Sequence, residues 1–189
     1  PALTLKDAVA RKTWLNELDD TALARRLSLL WMGLDTARQQ VTLAKADVAR
    51  RAAAYPIISY WRELPGIGLI HAATLFAYLD TPWRFSKPAK LWKYCGLGLK
   101  RTASGSDEKG RPRPGYLHLH RGVNPKLKAA ILSAVLIAIR KRNPFADHYN
   151  TMIRAGVTAS NARHTVGRKM LSTLWGMWKT NSRYDERLV

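Results

Sequence analysis

Acidic side chains are the scarcest chemistry in this sequence. Its 189 residues hold 13 Asp+Glu against 32 Lys+Arg, a formal net charge of +19. Two-metal hydrolysis needs several carboxylates converging on one point, and only Asp19-Asp20, Asp107-Glu108 and Asp185-Glu186 adjoin here. Such a set is not visible in this stretch of chain. Cysteine is nearly absent as well. The single Cys95 excludes an internal disulfide framework and fits a reducing compartment. Long apolar runs are missing too: none approaches the ~18 residues that span a bilayer. No signal peptide or lipidation signature is visible in this stretch of sequence. The first residues, "PALTLKDAV", contain no Met, which raises the expectation that the sequence is a piece of a longer protein.

What is present is apolar mass and positive charge. Hydrophobic residues make up 47% of the chain, enough for a packed core in one domain or one domain with an appendage. An excess of +19 repels itself unless a polyanion neutralises it, and nucleic acid is the commonest such partner. An anionic membrane surface is the rival reading.

The periodicities are helical. From Asp20 to about residue 54 there is no Pro and a single Gly, Gly33. Leu23, Leu27, Leu30, Leu34, Ala37, Val41, Ala44 and Val48 recur in steps of four and three, an a/d seam with Asp20 as its N-cap. That pattern suits a coiled coil or helical hairpin, and equally a long amphipathic helix lying on its own domain. Residues 4–18 read as a shorter partner helix. After Tyr55-Pro56 come "PIISYWREL", the turn "PGIG" and the helix "LIHAATLFAYL". Next is "FSKPAKLWKYCG", with Ser86 as N-cap and Gly96 past its end. Asn124-Pro125 and Asn143-Pro144 start two further helices by one device, Asn capping and Pro presetting φ. A last helix covers roughly 160–179. Only "YLHLH" alternates like a strand. The predicted fold class is all-α: a long N-terminal coiled-coil-like helix (1–54) followed by a compact helical domain (55–182).

Two segments carry candidate chemistry. "LPGIGLIHAATL" matches a helix-hairpin-helix (60–80), in which Gly66 and Gly68 permit a tight turn and a helix N-terminus presents bare N–H groups to a phosphate. An ordinary glycine-turn hairpin has the same pattern. "KRTASGSDEKGRPRPG" then opens a basic loop (100–122) that is either a spacer, a clamp for a polyanion, or the carrier of a reacting group. Lys100, Arg101, Lys109, Arg111, Arg113 and Arg121 bring positive charge to it. A serine hydroxyl there becomes useful once a phosphodiester's charge is offset, but no base is identifiable. Rings and cations interleave over Trp83–Tyr94, either as a stacking platform for unpaired bases or as core under Lys stems. Core is the reading for Trp92, with Trp83 and Phe85 left open. His118 and His120 lack a third ligand spaced for zinc, so no metal site is expected in the chain, and His71 and His164 read as structural or surface residues.

The ordered set "ELPGIGLIHAATLFAYLDTPWRFSKPAKLWKYCGLG", "TASG", "HRGVNPKLKAAI" and "VGRKMLSTLW" resembles the C-terminal domain of the insertion-sequence 110/116/902 transposases, relatives of the pilin-gene invertases. The resemblance covers about residues 60–178. It implies a DNA transposase or site-specific recombinase, bacterial, cytoplasmic and nucleoid-associated. An N-terminal RuvC-like domain with an acidic tetrad, lying outside this sequence, would hold a divalent metal such as Mg, and residues 1–54 would be the helical connector. The resemblance further implies that Ser104 is the nucleophile that attacks DNA, with Ser106 as the fallback. Gly105 would be its neighbour, and Arg121, Gly122 and Asn124 would match the basic-Gly-x-Asn segment. Implied partners are DNA and a structured non-coding RNA that guides target choice, and the N-terminal helices are expected to join copies of the chain in a dimer or tetramer. One departure stands out: Leu127-Lys128 replaces a frequent Leu-Arg pair, keeping charge without guanidinium geometry. The rival function is a non-catalytic nucleic-acid-binding module, and a third is an assembly element built on the long helix.

Overall fold

A computed structural model describes residues 7–102, 116–119 and 123–188. The chain divides into two compact units, Pro1–Asp47 and Val48–Val189.

In the first unit, α1 (Ala8–Asn16) lies beside the first part of α2 (Thr21–Ala52). The Asp20 carboxylate accepts from the Leu23 backbone N–H at 2.9 Å, the cap its position implies. Arg11, only 5% exposed, donates twice to Asp35, at 3.1 and 2.6 Å, and lies 5.6 Å from the Trp31 ring centroid. Trp14 meets Trp31 edge-on at 5.7 Å. The Arg11 hydrogen bond holds the Asp35 carboxyl below its usual range. Thus α1 packs on the Trp31 side of α2, while Leu23, Leu30, Leu34 and Val41 of the seam stay exposed.

The second unit is a helical assembly centred on α8 (Ala159–Thr180). Around it pack α3 (Pro56–Trp61), α5 (Pro88–Tyr94), α6 (Pro125–Ala138) and α7 (Pro144–Arg154), and α4 (Leu69–Leu79) packs on α3 and α6. Trp61 is fully buried and donates its indole N–H to the Leu174 carbonyl at 3.0 Å. Trp178 and Phe76 pack around it at 5.0 and 6.5 Å between centroids. Both Asn-Pro starts form as their sequences predict. Asn124 accepts from the Lys126 and Leu127 N–H groups. Buried Asn143 accepts from Phe145 and Ala146 and donates to the Ala138 and Lys141 carbonyls, so every hydrogen-bonding atom of its side chain is used.

The fold is helical as predicted, with two local differences. At α5, Pro88 takes the first helical position, which makes Lys87 rather than Ser86 the capping residue, and no side-chain bond forms there. The predicted loop also begins and ends in an antiparallel ribbon. β1 (Leu99–Thr102) pairs with β2 (Tyr116–Leu119), from Leu99 opposite Leu119 to Thr102 opposite Tyr116. The alternating "YLHL" is therefore a strand, and the polar Leu-Lys-Arg-Thr run pairs with it through the backbone.

Candidate nucleic-acid interface

The ribbon leaves the helical body at a cleft of about 400 Å³. The cleft is lined by Lys87, Lys90, Trp92 and Lys93 of α5 and its N-terminal edge, by Gly98 and Leu99 entering β1, and by Arg168 of α8. Three lysines and an arginine are therefore among its lining residues, and no carboxylate is among the described residues that line it.

Each wall has a local cause. Leu97 and Gly98 both donate their N–H groups to the Trp92 carbonyl, at 2.8 and 2.9 Å, which folds the chain back over the end of α5. A Cβ at Gly98 would stand 2.6 Å from the Lys93 Cα, so this close approach requires glycine. The Trp92 indole donates to the Ser172 hydroxyl at 3.1 Å, which itself donates to the Arg168 carbonyl at 3.0 Å. Trp92 thus joins α5 to α8 and packs against the core, the role its spacing suggested.

Arg168 is half-buried. It donates to the Leu97 carbonyl at 3.2 Å and to the Thr165 hydroxyl at 2.7 Å. Burial lowers its pKa from the ordinary guanidinium value, yet such a group stays charged. Among the described residues it has no carboxylate partner. A partly desolvated guanidinium held by neutral acceptors still lacks an anion. His164, one turn earlier on α8, has its pKa lowered by burial and then by the charges of Lys128, Arg168 and Arg163. Positive potential therefore extends from the cleft toward the start of α6.

Several predicted site residues lie outside the described residues: Ser104, Ser106, Lys109, Arg111, Arg113 and Arg121. Lys100 and Arg101 are placed in β1 by backbone only, beside the cleft in sequence. Asn124 spends its side-chain oxygen on capping α6. Gly66 has φ +86°, and a Cβ there would run into the Ala134 carbonyl of α6, so packing alone requires glycine. Gly68 differs. It is exposed, has φ −92° as the N-cap of α4, and has open space where a Cβ would project. Of the two hairpin glycines, only Gly68 presents an accessible helix N-terminus. His71 meets the Ser133 hydroxyl at 3.2 Å. Phe85 is core, and Trp83 is 70% exposed. Among the described residues no group of three His, Cys, Asp or Glu side chains comes together as a metal-ligand set, and no helix is long and apolar enough to cross a membrane.

Sequence reasoning gave Arg168 no role of its own. It stands inside "VGRKMLSTLW", but its contact with Leu97 spans 71 residues of chain.

Comparison with known proteins bears on the same segments. Residues 59–150 match the family described as Transposase IS116/IS110/IS902 family. The chain is also similar to an uncharacterised 43.6 kDa protein of insertion element IS110 from Streptomyces coelicolor, at 24% identity over 155 residues. That match covers 82% of this chain and 37% of the relative, so the chain spans little more than a third of that protein's length.

Proposed function

We propose that this chain, which belongs to the IS116/IS110/IS902 transposase family, is the part of a DNA transposase or recombinase that grips a DNA strand and supplies the attacking serine. The observation that carries this reading is the cleft at the root of the β1–β2 ribbon, lined by Lys87, Lys90, Lys93 and Arg168 with no carboxylate among the described lining residues. Ser104 lies two residues beyond the end of β1.

The chemistry follows from the phosphodiester. Its anionic oxygens repel a nucleophile, and cations that bind them lower the barrier most where charge builds up in the transition state. The Ser104 hydroxyl loses its proton and bonds to phosphorus as one P–O ester bond breaks. The departing strand oxygen takes up a proton. The strand is then held as a phosphoserine ester, which conserves bond energy until a second strand's hydroxyl attacks the same phosphorus and releases the serine. Lys100 and Arg101 stand next to this point in sequence, and Arg168 anchors the nearest phosphate.

In this reading a divalent metal would be held by the acidic tetrad of a RuvC-like domain outside this sequence, and would supply Lewis-acid stabilisation of phosphate charge. A structured guide RNA would select the target and share the positive surface. The exposed seam of Leu23, Leu30, Leu34 and Val41 suits self-association of copies through α2. Strand exchange by the whole transposase carrying Ser104→Ala is the test. Loss of recombination with DNA binding retained supports the reading, and recombination at the normal level refutes it.

A further inference from the structure

We propose that the exposed ring of Trp83 is a stacking site for one unpaired base of a single-stranded nucleic acid. This rests on the nucleic-acid reading above and adds to it a site for strands that have left the duplex.

Trp83 sits in a single 3-10 turn, Pro82–Arg84, whose backbone is fixed from two sides. The Thr81 hydroxyl accepts from the Trp83 N–H at 3.4 Å, and the Trp175 indole donates to the Pro82 carbonyl at 3.0 Å. Pro82 itself is buried. The indole is therefore presented to solvent on a rigid support, at 70% exposure. The other tryptophans of this unit are buried or half-buried: Trp61, Trp92, Trp175 and Trp178 all pack in or against the core. A large ring held out on a stiff turn keeps the face opposite Lys179 free for stacking at little entropic cost on binding.

The charge around it selects the ligand. The Lys179 ammonium lies 4.8 Å from the Trp83 centroid and 4.2 Å from that of Trp175. The Arg84 guanidinium lies 4.5 Å over Tyr94. From Thr81 to Tyr94 the sequence has Arg84, Lys87, Lys90 and Lys93 and no carboxylate. An apolar protein surface would gain nothing from these cations, whereas a nucleotide offers a π-face and a phosphate together. A duplex keeps its bases stacked on one another, so the open ring favours unpaired strands.

Geometry links this ring to the basic cleft. Arg168 and Lys179 are eleven residues apart on α8. Eleven residues at 3.6 per turn is close to three full turns, so both fall on one face, ~16 Å apart along the axis. A strand whose phosphate is held at Arg168 can follow that face past Trp175 to reach Trp83.

The test is fluorescence anisotropy with labelled single-stranded DNA, single-stranded RNA and duplex DNA of one sequence, using wild type, Trp83→Ala and Trp83→Phe. Thermal melting verifies that both variants are folded. Trp83→Ala is expected to weaken single-strand binding roughly tenfold, while Trp83→Phe recovers most of it and duplex binding changes by less than about twofold. A loss on DNA alone or RNA alone identifies the strand and supports the site. Unchanged single-strand affinity overturns the proposal, as does an equal loss on duplex, and both leave the proposed function standing. A wild-type chain that binds none of the three probes overturns that function together with the stacking site.

Discussion

The Arg168 guanidinium donates to the Leu97 carbonyl at 3.2 Å, tying the middle of α8 to the chain just before β1. One residue therefore serves two ends: it anchors the root of the ribbon and offers positive charge to the cleft. The two can be separated. Arg168→Lys keeps charge but cannot present a planar fork to a carbonyl, a hydroxyl and a phosphate together. Arg168→Ala removes both. Loss of one phosphate contact reduces the log–log salt slope of DNA binding by about 0.9. Salt titration should give this decrement for Arg168→Ala and little change for Arg168→Lys, with affinity reduced in both. An unchanged slope in Arg168→Ala would remove Arg168 from the interface.

The two glycines of the "PGIG" turn should respond oppositely. Gly66→Ala meets a positive φ and the Ala134 carbonyl at once. It should cost more than about 1 kcal/mol of stability, read as a lower denaturation midpoint. Gly68→Asp meets neither obstacle. A carboxylate at the N-cap of α4 should hold or raise stability while repelling a phosphate from that helix end. DNA affinity falling on a melt as stable as wild type would place a phosphate there. Unaltered affinity would leave the turn a purely structural hairpin.

Acid should destabilise the second unit through its histidines. Burial, then neighbouring cations, depress the pKa of His164, and burial with Lys169 does the same for His148. The folded state then binds fewer protons than the unfolded chain as pH falls below the ordinary value of 6.5. The stabilisation is complete above that pH and is lost as pH drops through the lowered folded-state values. Thermal midpoints measured from pH 7.5 to pH 5 should fall. His164→Gln should flatten part of the slope, leaving the part due to His148. A slope identical in wild type and His164→Gln would contradict this account.

Local signals made much of the fold legible in the sequence. Asn124-Pro125, Asn143-Pro144 and Asp20 each specify a helix start within a few residues, because capping is a contact between chain neighbours. The seam on α2 was equally plain, but its periodicity did not say which side α1 would cover. α1 took the Trp31 side through the Arg11–Asp35 pair, leaving Leu30 and its companions exposed. β1 was illegible for a different reason. Leu-Lys-Arg-Thr has no two-residue alternation and forms only by pairing with β2 across a long intervening stretch. The cleft escaped notice likewise. Lys87, Lys90 and Lys93 are visible as a basic run, but the guanidinium that closes the site comes from α8, over seventy residues further on. Gly66 belongs to a turn expected to bring backbone N–H groups to a phosphate, and the Ala134 carbonyl of α6 gives it a packing reason that no local pattern reveals.

The central claim concerns the oxygen that attacks DNA. It is tested most directly by trapping the full-length protein on a nicked suicide substrate and mapping the covalent adduct by mass spectrometry. The account predicts a DNA-linked phosphoserine at Ser104, absent from the Ser104→Ala protein. An adduct on Ser106 or on any other side chain, or recombination-competent protein that yields no adduct at all, would contradict it.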